Sequence, residues 1–283
     1  MYLAVDIGGT KLAAGVVDDD GRVVVRDRVP TPPRDVWPAL ERLILRVMAA
    51  APAPIVAVGA GCGGPMDIAA ATVSPLHIPT WQQFELHAAL TETTSLPVFI
   101  DNDAKALTLG EAWCGAAQGA RNMVGVVVGT GVGGGILSNG RLLNGRLGNA
   151  GHIGHIIVEP EGRPCACGGI GCLEAYACGP AIEAETGRPP QRAPQAIIER
   201  TGLLVGRALA SLAAIVDFRL AVVGGSVALG FGEPFFAAAQ TEANLRAKLS
   251  FTEHLEIRRV GLGELSPLVG AAALARRGVL GER

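Results

Sequence analysis

The stretch YLAVDIGGTKLAAGVVD, residues 2–18, consists of two apolar runs separated by the turn sequence GGT. A third apolar run, RVVVRDRV (22–29), follows the turn sequence DDDG. Short apolar runs bounded by turn signals are typical of strands. Residues 2–29 are therefore predicted to form three antiparallel strands joined by tight turns.

The same pattern recurs in NMVGVVVGTGVGGGILSNGRLL, residues 122–143. A strand, a glycine–threonine turn, a second strand and a turn carrying Gly-Arg follow in the same order, with spacing that matches to within one residue. Later, FRLAVVGGSVA (218–228) repeats the character of IVAVGAGCGGP (55–65), a buried strand ending in small residues. The repetition predicts a duplicated α/β unit of the βββαβαβα type. Chance is the alternative, because the chain holds 39 glycines.

The length of 283 residues exceeds what one hydrophobic core usually supports, so two lobes are expected, with a ligand in the cleft between them. A strand at LPVFID (96–101) leads into a helix that begins in DNDAKALTLGEAW, and TGRPPQRAP (186–194) is predicted to be a surface loop. Amphipathic periodicity predicts three further helices, at 36–50, 196–216 and 265–277.

Charge and composition exclude several classes of function. The net charge of −2 provides no basic field for nucleic acid or for a membrane surface. Glycine interrupts the apolar runs well before the ~20 residues that a membrane span requires. MYLAVDIGGT runs directly into a strand with no features of a secretory signal, so a cytoplasmic location is expected.

The two glycine–threonine turns are candidates for phosphate binding. Asp6 ends a strand, Gly8 and Gly9 permit positive φ and close backbone approach, and Thr10 and Lys11 add a hydroxyl and a cation. The turn GTGVGGG (129–135) offers further backbone N–H donors, which suit phosphate oxygens. Neither sequence matches the Walker or the Rossmann pattern. Either turn alone would be an ordinary hairpin turn; together they favour a phosphate clamp for a nucleotide.

Three polar residues, Asp101, Asn102 and Asp103, stand where a buried strand meets a helix. In α/β sheets ligands bind at this carboxyl end of the strands. An ordinary helix N-cap is the alternative, but the helix needs only one of the three side chains for that purpose. A remaining aspartate could therefore act as a general base toward a hydroxyl group.

A cluster of cysteines lies in GNAGHIGHIIVEPEGRPCACGGIGCLEAY, residues 148–176. His155, Cys165, Cys167 and Cys172 provide one imidazole and three thiolates, a set that suits a closed tetrahedral zinc site. The alternatives are a buried cluster of free cysteines and a redox pair, and the C-x-C pair could form only a strained disulfide. Structural zinc is preferred, and Cys178 is predicted to be an ordinary buried cysteine.

Five motifs, DIGGTK, DND, GTGVGGG, GNAGHIGH and CACGGIGCLE, together resemble the ROK family (repressors, open reading frames and sugar kinases) of the actin-like ATPase fold. The resemblance implies two actin-like (ribonuclease H-like) lobes with a cleft between them. Residues 1–117 with a C-terminal helix at about 266–283 would form the first lobe, and residues 118–265 the second, which carries the zinc site.

The same resemblance implies an ATP-dependent hexose kinase that phosphorylates the 6-hydroxyl, with glucokinase activity expected first. A kinase for N-acetylmannosamine or for another hexose or N-acetylhexosamine is the alternative, and a homodimer is expected. Asp103 would be the general base, and Asp6 would position Mg²⁺. The sugar would be bound by Gly64, Asn102, Asp103, His152, His155 and Glu174. ATP would be bound by Asp6, Gly8, Gly9, Thr10, Lys11, Gly129, Thr130, Gly131, Gly133, Gly134, Gly224 and Gly225.

The sequence departs from the family pattern at two places. His152 stands where most of the family's kinases carry the glutamate of ExGH, which binds the sugar near its 1- and 2-positions. Neutral histidine offers one donor and one acceptor, whereas glutamate only accepts, so glucose becomes uncertain as the substrate. Alternatively, His152 only caps the turn in GNAGHIG. The second departure is a segment between residues 178 and 196 that is shorter than in typical relatives.

Two other classes of function are alternatives to a sugar kinase. The family includes sugar-sensing repressors, but those carry an N-terminal helix-turn-helix, and this sequence begins at the first strand without a basic recognition helix. The second is a non-catalytic, zinc-stabilised sugar-binding protein, which would not need Asp103. A structural zinc ion would bind His155 through one ring nitrogen and leave the other nitrogen free to face the sugar.

Overall fold

The structure, a computed structural model, describes residues 1–67 and 71–282. It divides into two compact units. Unit 1 comprises Met1–Gly119, Arg141–Ala150 and Gly261–Arg283, and unit 2 comprises Ala120–Gly140 and Gly151–Val260. The assignment of the predicted lobes as separate domains stays a prediction.

Unit 1 is built on a five-stranded sheet of order β3-β2-β1-β4-β7. Strands β1 and β2, and β2 and β3, pair antiparallel, while β4 and β7 continue the sheet in parallel with β1. Its elements are β1 (Tyr2–Ile7), β2 (Lys11–Val17), β3 (Val23–Pro30), α1 (Val36–Ala49), β4 (Ala57–Cys62), β5 (Met66–Asp67), β6 (Thr72–Val73), α2 (Leu86–Thr94), β7 (Val98–Asn102), α3 (Asp103–Cys114) and α9 (Ser266–Val279).

Glycines allow α9 to pack closely against this sheet and against α3. A Cβ on Gly59 of β4 would lie 1.8 Å from the Ala271 carbonyl oxygen, and one on Gly270 would lie 2.4 Å from the Ala106 carbonyl oxygen. The fully buried carboxylate of Glu111 accepts hydrogen bonds from the backbone N–H of Gly261 at 2.8 Å and from the Ser266 hydroxyl at 2.9 Å. The last segment of the chain is thus an integral part of unit 1.

Unit 2 repeats the arrangement of strands. The second five-stranded sheet has the order β10-β9-β8-β11-β12, with β8 antiparallel to β9 and parallel to β11, which is parallel to β12. Four of its strands, β8, β9, β11 and β12, belong to unit 2. The elements of unit 2 are β8 (Met123–Val128), β9 (Val132–Ser138), α4 (Glu174–Ala177), α5 (Gly179–Thr186), α6 (Gln195–Val216), β11 (Leu220–Gly224), α7 (Ser226–Phe231), α8 (Glu233–Arg246) and β12 (Glu256–Arg259), with short 3-10 helices at Ile153–His155 and Pro190–Arg192. The two-residue strand β10 (Arg141–Leu142) and a 3-10 helix at Gly263–Leu265 belong to residues of unit 1.

The observed elements confirm the predicted α/β fold. In each sheet the first strand of the hairpin lies in the centre, with the hairpin on one side and two parallel strands on the other, as a duplicated unit requires. The helix predicted at 36–50 ends at Ala49, the helix predicted at 196–216 begins one residue earlier, and the helix predicted at 265–277 spans Ser266–Val279. The loop predicted at 186–194 contains a 3-10 turn. Within residues 1–67 and 71–282, no helix has the length and apolar character needed to cross a membrane.

Candidate active site and metal centre

In unit 1 the predicted catalytic residues lie at one edge of the sheet. Parallel pairing places Asp6 of β1 opposite Gly61 of β4, and Gly61 opposite Asp101 of β7. A Cβ on Gly61 would lie 3.4 Å from the Asp103 Cα, so the start of α3 packs directly over β4. The carboxyl ends of the strands therefore bring the DIGGT turn and the start of α3 to the same edge of the sheet.

Asp6 is buried, with 8% of its surface exposed. Burial and, secondly, the negative charge of Asp103 raise the pKa of Asp6 to about 7, against the opposing positive charge of Lys11. Two neighbouring carboxylates of which one is buried repel each other, and a divalent cation would relieve that repulsion. These residues therefore fit the predicted magnesium site.

The three residues of the DND motif are used differently. The side-chain oxygen of Asn102 accepts a hydrogen bond from the Ala104 N–H at 3.0 Å, so Asn102 is the N-cap of α3. Asp103 Oδ1 accepts from the same N–H at 2.8 Å. Asp101 forms an ion pair with Lys105 at 3.2 Å. The binding of sugar by Asn102 and Gly64 stays a prediction.

The first glycine turn is held by contacts that the sequence did not reveal. Gly8 N–H donates to the Lys11 carbonyl oxygen at 3.1 Å, and Thr31 Oγ1 donates to the Gly8 carbonyl oxygen at 2.7 Å. A Cβ on Gly9 would lie 2.3 Å from the Cβ of His77. Neither Gly8 nor Gly9 uses the positive φ that glycine permits, and Gly9 is needed for its close approach to His77.

In unit 2 three segments converge on Gly129. Gly129 N–H donates to the Gly131 carbonyl oxygen at 2.9 Å, and its carbonyl oxygen accepts from Gly179 N–H at 2.8 Å. A Cβ on Gly129 would lie 3.5 Å from Ser226 Oγ, and Gly225 has a φ of 94° with no room for a Cβ against Val128. The start of α5 and the start of α7 thus border the second turn. Gly225, before α7, is among the predicted ATP ligands, whereas Gly179 of α5 is not.

The second turn is shorter than predicted. Strand β9 begins at Val132, so Gly133 and Gly134 lie in the strand, where they pair with Val127 and Val126. A Cβ on Gly134 would lie 2.2 Å from the Ile153 Cδ1, which explains the glycine by packing. The turn itself is formed by Gly129–Gly131. Gly224 is the last residue of β11 and directly precedes Gly225. The binding of ATP by these residues stays a prediction.

The predicted zinc ligands lie together in unit 2. The ligand atoms of His155, Cys165, Cys167 and Cys172 all lie within 4.8 Å of one another. The Nδ1 atom of His155 is 3.9 Å from Cys165 Sγ, and Cys167 Sγ is 3.8 Å from Cys172 Sγ. Tetrahedral zinc with bonds of about 2.0–2.3 Å places its ligand atoms about 3.3–3.8 Å apart. The donor set and its spacing therefore fit a structural zinc ion.

A glycine-rich loop shapes this centre. Gly171 N–H donates to the Arg163 carbonyl oxygen at 2.8 Å, and Cys165 N–H donates to the Gly169 carbonyl oxygen at 2.8 Å. Gly171 has a φ of 75°, and a Cβ there would lie 1.7 Å from the Glu159 carbonyl oxygen. Only glycine therefore fits at position 171.

The arginine–glutamate network beside this loop gives a pH-dependent prediction. Hydrogen bonds from Arg200 and then Arg163 hold the pKa of Glu185 well below its usual value of 4.5. A depressed pKa stabilises the folded state above pH 4.5, and this stabilisation is lost as the pH falls below that value. Glu185→Gln is expected to lower the free energy of unfolding at pH 7 by about 1 kcal/mol, because the pair is partly exposed. At pH 3.5 the difference should shrink.

Urea unfolding at both pH values measures this difference. The exposed Glu253 provides the matched control, since Glu253→Gln should change the unfolding free energy little at either pH. If the difference in unfolding free energy between wild type and Glu185→Gln is the same at pH 7 and pH 3.5, the ionised Glu185 carboxylate does not stabilise the fold.

The remaining predicted sugar ligands lie next to the metal centre. His155 directs Nδ1 toward Cys165, and its ring lies 6.2 Å from that of His152 with an interplanar angle of 19°. His152 is the N-cap residue of the 3-10 turn Ile153–His155, without a side-chain capping hydrogen bond to that turn. Its role toward the sugar stays a prediction. Glu174 Oε2 accepts from the Val132 N–H at 2.7 Å, which fixes this carboxylate at the start of β9.

Several known proteins are similar to this chain over nearly its whole length. The chain is 34% identical over 292 residues to an N-acetylmannosamine kinase from Escherichia fergusonii, covering 97% of this chain and 98% of the relative. It superposes on the crystal structure of a ROK hexokinase from Thermus thermophilus with a TM-score of 0.88 and 36% identity, covering 99% of both chains. A ROK family glucokinase from Streptomyces griseus, in complex with glucose and AMPPNP, gives a TM-score of 0.83 and 32% identity over 98% of this chain and 99% of that one. The sequence pattern of the ROK family matches residues 2–278, and the chain belongs to this family.

Proposed function

We propose that this protein is an ATP-dependent hexose kinase that phosphorylates the 6-hydroxyl of a hexose or N-acetylhexosamine. The observation that supports this most is the position of Asp103, at the carboxyl edge of the sheet beside the buried Asp6 and the DIGGT turn. The similarity to a hexokinase, a glucokinase and an N-acetylmannosamine kinase supports the same class of reaction.

In this proposal Asp103 accepts the proton of the sugar hydroxyl as that oxygen attacks the terminal phosphate of ATP. Asp6 would hold Mg²⁺, which when bound neutralises charge on the phosphates. Lys11 and the backbone N–H groups of Gly9 and Thr10 would bind phosphate oxygens, since the Gly8 N–H donates within the turn. Since phosphoryl transfer is accelerated mainly by positioning and charge stabilisation, these few groups are sufficient for the chemistry.

Unit 2 would supply nucleotide and sugar contacts. The turn Gly129–Gly131, bordered by Gly179 and Gly225, would contribute backbone N–H groups toward a phosphate. The metal centre would hold His155 by Nδ1, which leaves Nε2 to face a sugar hydroxyl. Zinc therefore has a structural role in this proposal and takes no part in the transfer.

The choice of sugar is assigned to His152. Glucose and N-acetylmannosamine, the substrates named for relatives, differ at carbon 2, which is the region that the glutamate of the family pattern binds. Glucose is our first candidate and N-acetylmannosamine the second. A neutral imidazole can donate to one sugar substituent and accept from another, whereas a carboxylate only accepts.

A coupled assay of ADP release with Mg²⁺-ATP tests the proposal. Glucose, mannose, fructose, N-acetylglucosamine and N-acetylmannosamine are each supplied, and at least one should give sugar-dependent ADP. His152→Glu should change the ratio of kcat/KM between glucose and N-acetylmannosamine by about tenfold, since one hydrogen-bond exchange is worth about 1.4 kcal/mol.

Absence of sugar-dependent ADP with all five sugars would overturn the kinase proposal. An unchanged substrate ranking in His152→Glu would remove His152 from the specificity site. A sugar-sensing DNA-binding protein is the competing function, and a specific gel shift would support it. The homodimer and the cytoplasmic location stay predictions from the resemblance and the sequence.

A further inference from the structure

Lys105, the third residue of α3, is a buried cation, with 1% of its side chain exposed. Its ammonium group donates to the Asn144 side-chain oxygen at 3.0 Å and to the Gly148 carbonyl oxygen at 2.5 Å, and it pairs with Asp101 Oδ1 at 3.2 Å. An ammonium group has three N–H donors, and three acceptors surround it here. All four residues belong to unit 1.

Two of these acceptors lie in the segment 144–150, which we name the anchor loop. The Ala150 N–H donates to the Asn144 carbonyl oxygen at 3.0 Å and closes the loop on itself. The loop contains no helix or strand, and its residues 144–147 are exposed. Lys105 and a hydrogen bond from Asn149 Nδ2 to the Met66 carbonyl oxygen, at 3.2 Å, hold it to the rest of unit 1. The loop therefore depends on a few polar contacts for its position.

The third acceptor connects Lys105 to the proposed catalytic end of β7. Asp101 Oδ1 also accepts the Asn102 N–H at 2.7 Å, and Asn102 is the N-cap of α3, which begins at Asp103. One ammonium group thus joins the anchor loop to the strand end that carries the proposed base. In sequence, the loop continues directly into Gly151 and His152.

Helix packing alone does not favour a lysine at this position. Burial of an ion pair costs several kcal/mol in desolvation, and an apolar side chain of similar volume is often equally or more stable in such a place. Breaking the pair by removing one partner is strongly destabilising, because a buried charge is left without compensation. Mutating one partner leaves an unpaired buried charge, whereas mutating both removes the pair without leaving a charge, so the two kinds of variant separate these effects.

We propose that Lys105 is a positioning residue for the sugar site: it fixes the anchor loop, and through Asp101 it fixes the backbone at Asn102. This inference rests on the proposed kinase function. It assigns to Lys105 a role in sugar binding that goes beyond its contribution to stability.

The test compares Lys105→Met with the double variant Asp101→Asn/Lys105→Met. The single variant should lower the melting temperature and raise the KM for the sugar about tenfold, with the KM for ATP within about twofold, since only the sugar contacts are displaced. The double variant has no unpaired charge, so it should recover most of the melting temperature while the KM for the sugar stays high. Lys248→Met, at an exposed lysine, is the matched control and should change neither quantity.

Recovery of the sugar KM together with the melting temperature in the double variant would overturn the proposal, because Lys105 would then act only through stability. Amide hydrogen exchange of a peptide that covers the anchor loop gives a second readout, independent of activity. The Ala150 amide should exchange at least about tenfold faster in both variants than in wild type, because the closed loop is released. An unchanged exchange rate would show that Lys105 does not anchor the loop.

The two hypotheses fail in different ways. If wild-type protein releases no ADP with any sugar, the kinase proposal is wrong and the positioning role falls with it, while hydrogen exchange still decides whether Lys105 holds the loop. If wild type is active and Lys105→Met binds sugar normally, only the positioning role is wrong.

Discussion

Asp103→Asn is expected to lower kcat by about 10²–10⁴-fold, the usual contribution of a general base. The KM for the sugar should change by less than about threefold, because the amide keeps the size of the carboxylate and loses only the proton acceptor used in the transition state. Asn at this position can still accept the hydrogen bond that Asp103 Oδ1 receives from the Ala104 N–H. Steady-state kinetics with the ADP-release assay measures both constants.

Stability provides a check on this variant. The negative charge of Asp103 is one cause of the raised pKa of Asp6, so its removal should leave the melting temperature unchanged or higher. Asp217→Asn is the matched control: Asp217 is exposed, and its φ of 56° suits asparagine. Retention of more than about a tenth of the wild-type kcat by Asp103→Asn would contradict a general-base role.

Cys172→Ser is expected to abolish zinc binding and to destabilise the protein. One of the four ligand atoms is lost, and the three that remain cannot close a tetrahedral site. A loss of several kcal/mol corresponds to a decrease in melting temperature of roughly 5–15 °C for a unit of this size. In the absence of zinc, burial first and then hydrogen bonds with Cys167 and Cys165 raise the pKa of Cys172 to about 12. The metal is what would ionise this thiol.

Inductively coupled plasma mass spectrometry measures the zinc content, and thermal unfolding measures the stability. Wild type should contain about one zinc per chain, as a single closed site requires. Cys114→Ser is the matched control, because Cys114 lies in unit 1 and outside the cluster, and this variant should keep the zinc. Wild-type protein without zinc, or Cys172→Ser with a full equivalent, would contradict the assignment.

The strand pattern of both units could be predicted from short-range signals. The apolar runs around DIGGT and GTG are bounded by glycine and polar turn residues, and this local information is sufficient to define a hairpin. The cluster of candidate zinc ligands could also be predicted, because three of the four lie within eight residues of one another and the loop between them must be compact.

Other features depend on contacts between residues far apart in the chain. In a sequence Lys105 is an ordinary helix residue, and only the approach of Asn144 and Gly148 makes it a buried cation. Likewise, His77 against Gly9 and Gly179 against Gly129 bring together segments whose spacing carries no local signal. The sequence also does not show that Gly133 and Gly134 lie in β9 and not in the turn before it. A glycine required by packing, as Gly134 is against Ile153, looks the same in a sequence as a glycine in a turn.

The discontinuous order of unit 1 has a consequence for protein synthesis. One face of its sheet, with Tyr2, Ala4 and Ala57, packs against Ala271 and Ala275 of α9. At translation rates of about 5–20 residues per second, this helix is synthesised roughly 7–32 s after Gly119 has been added. During that interval the nascent sheet has an uncovered apolar face, so unit 1 can complete its folding only after α9 has been synthesised.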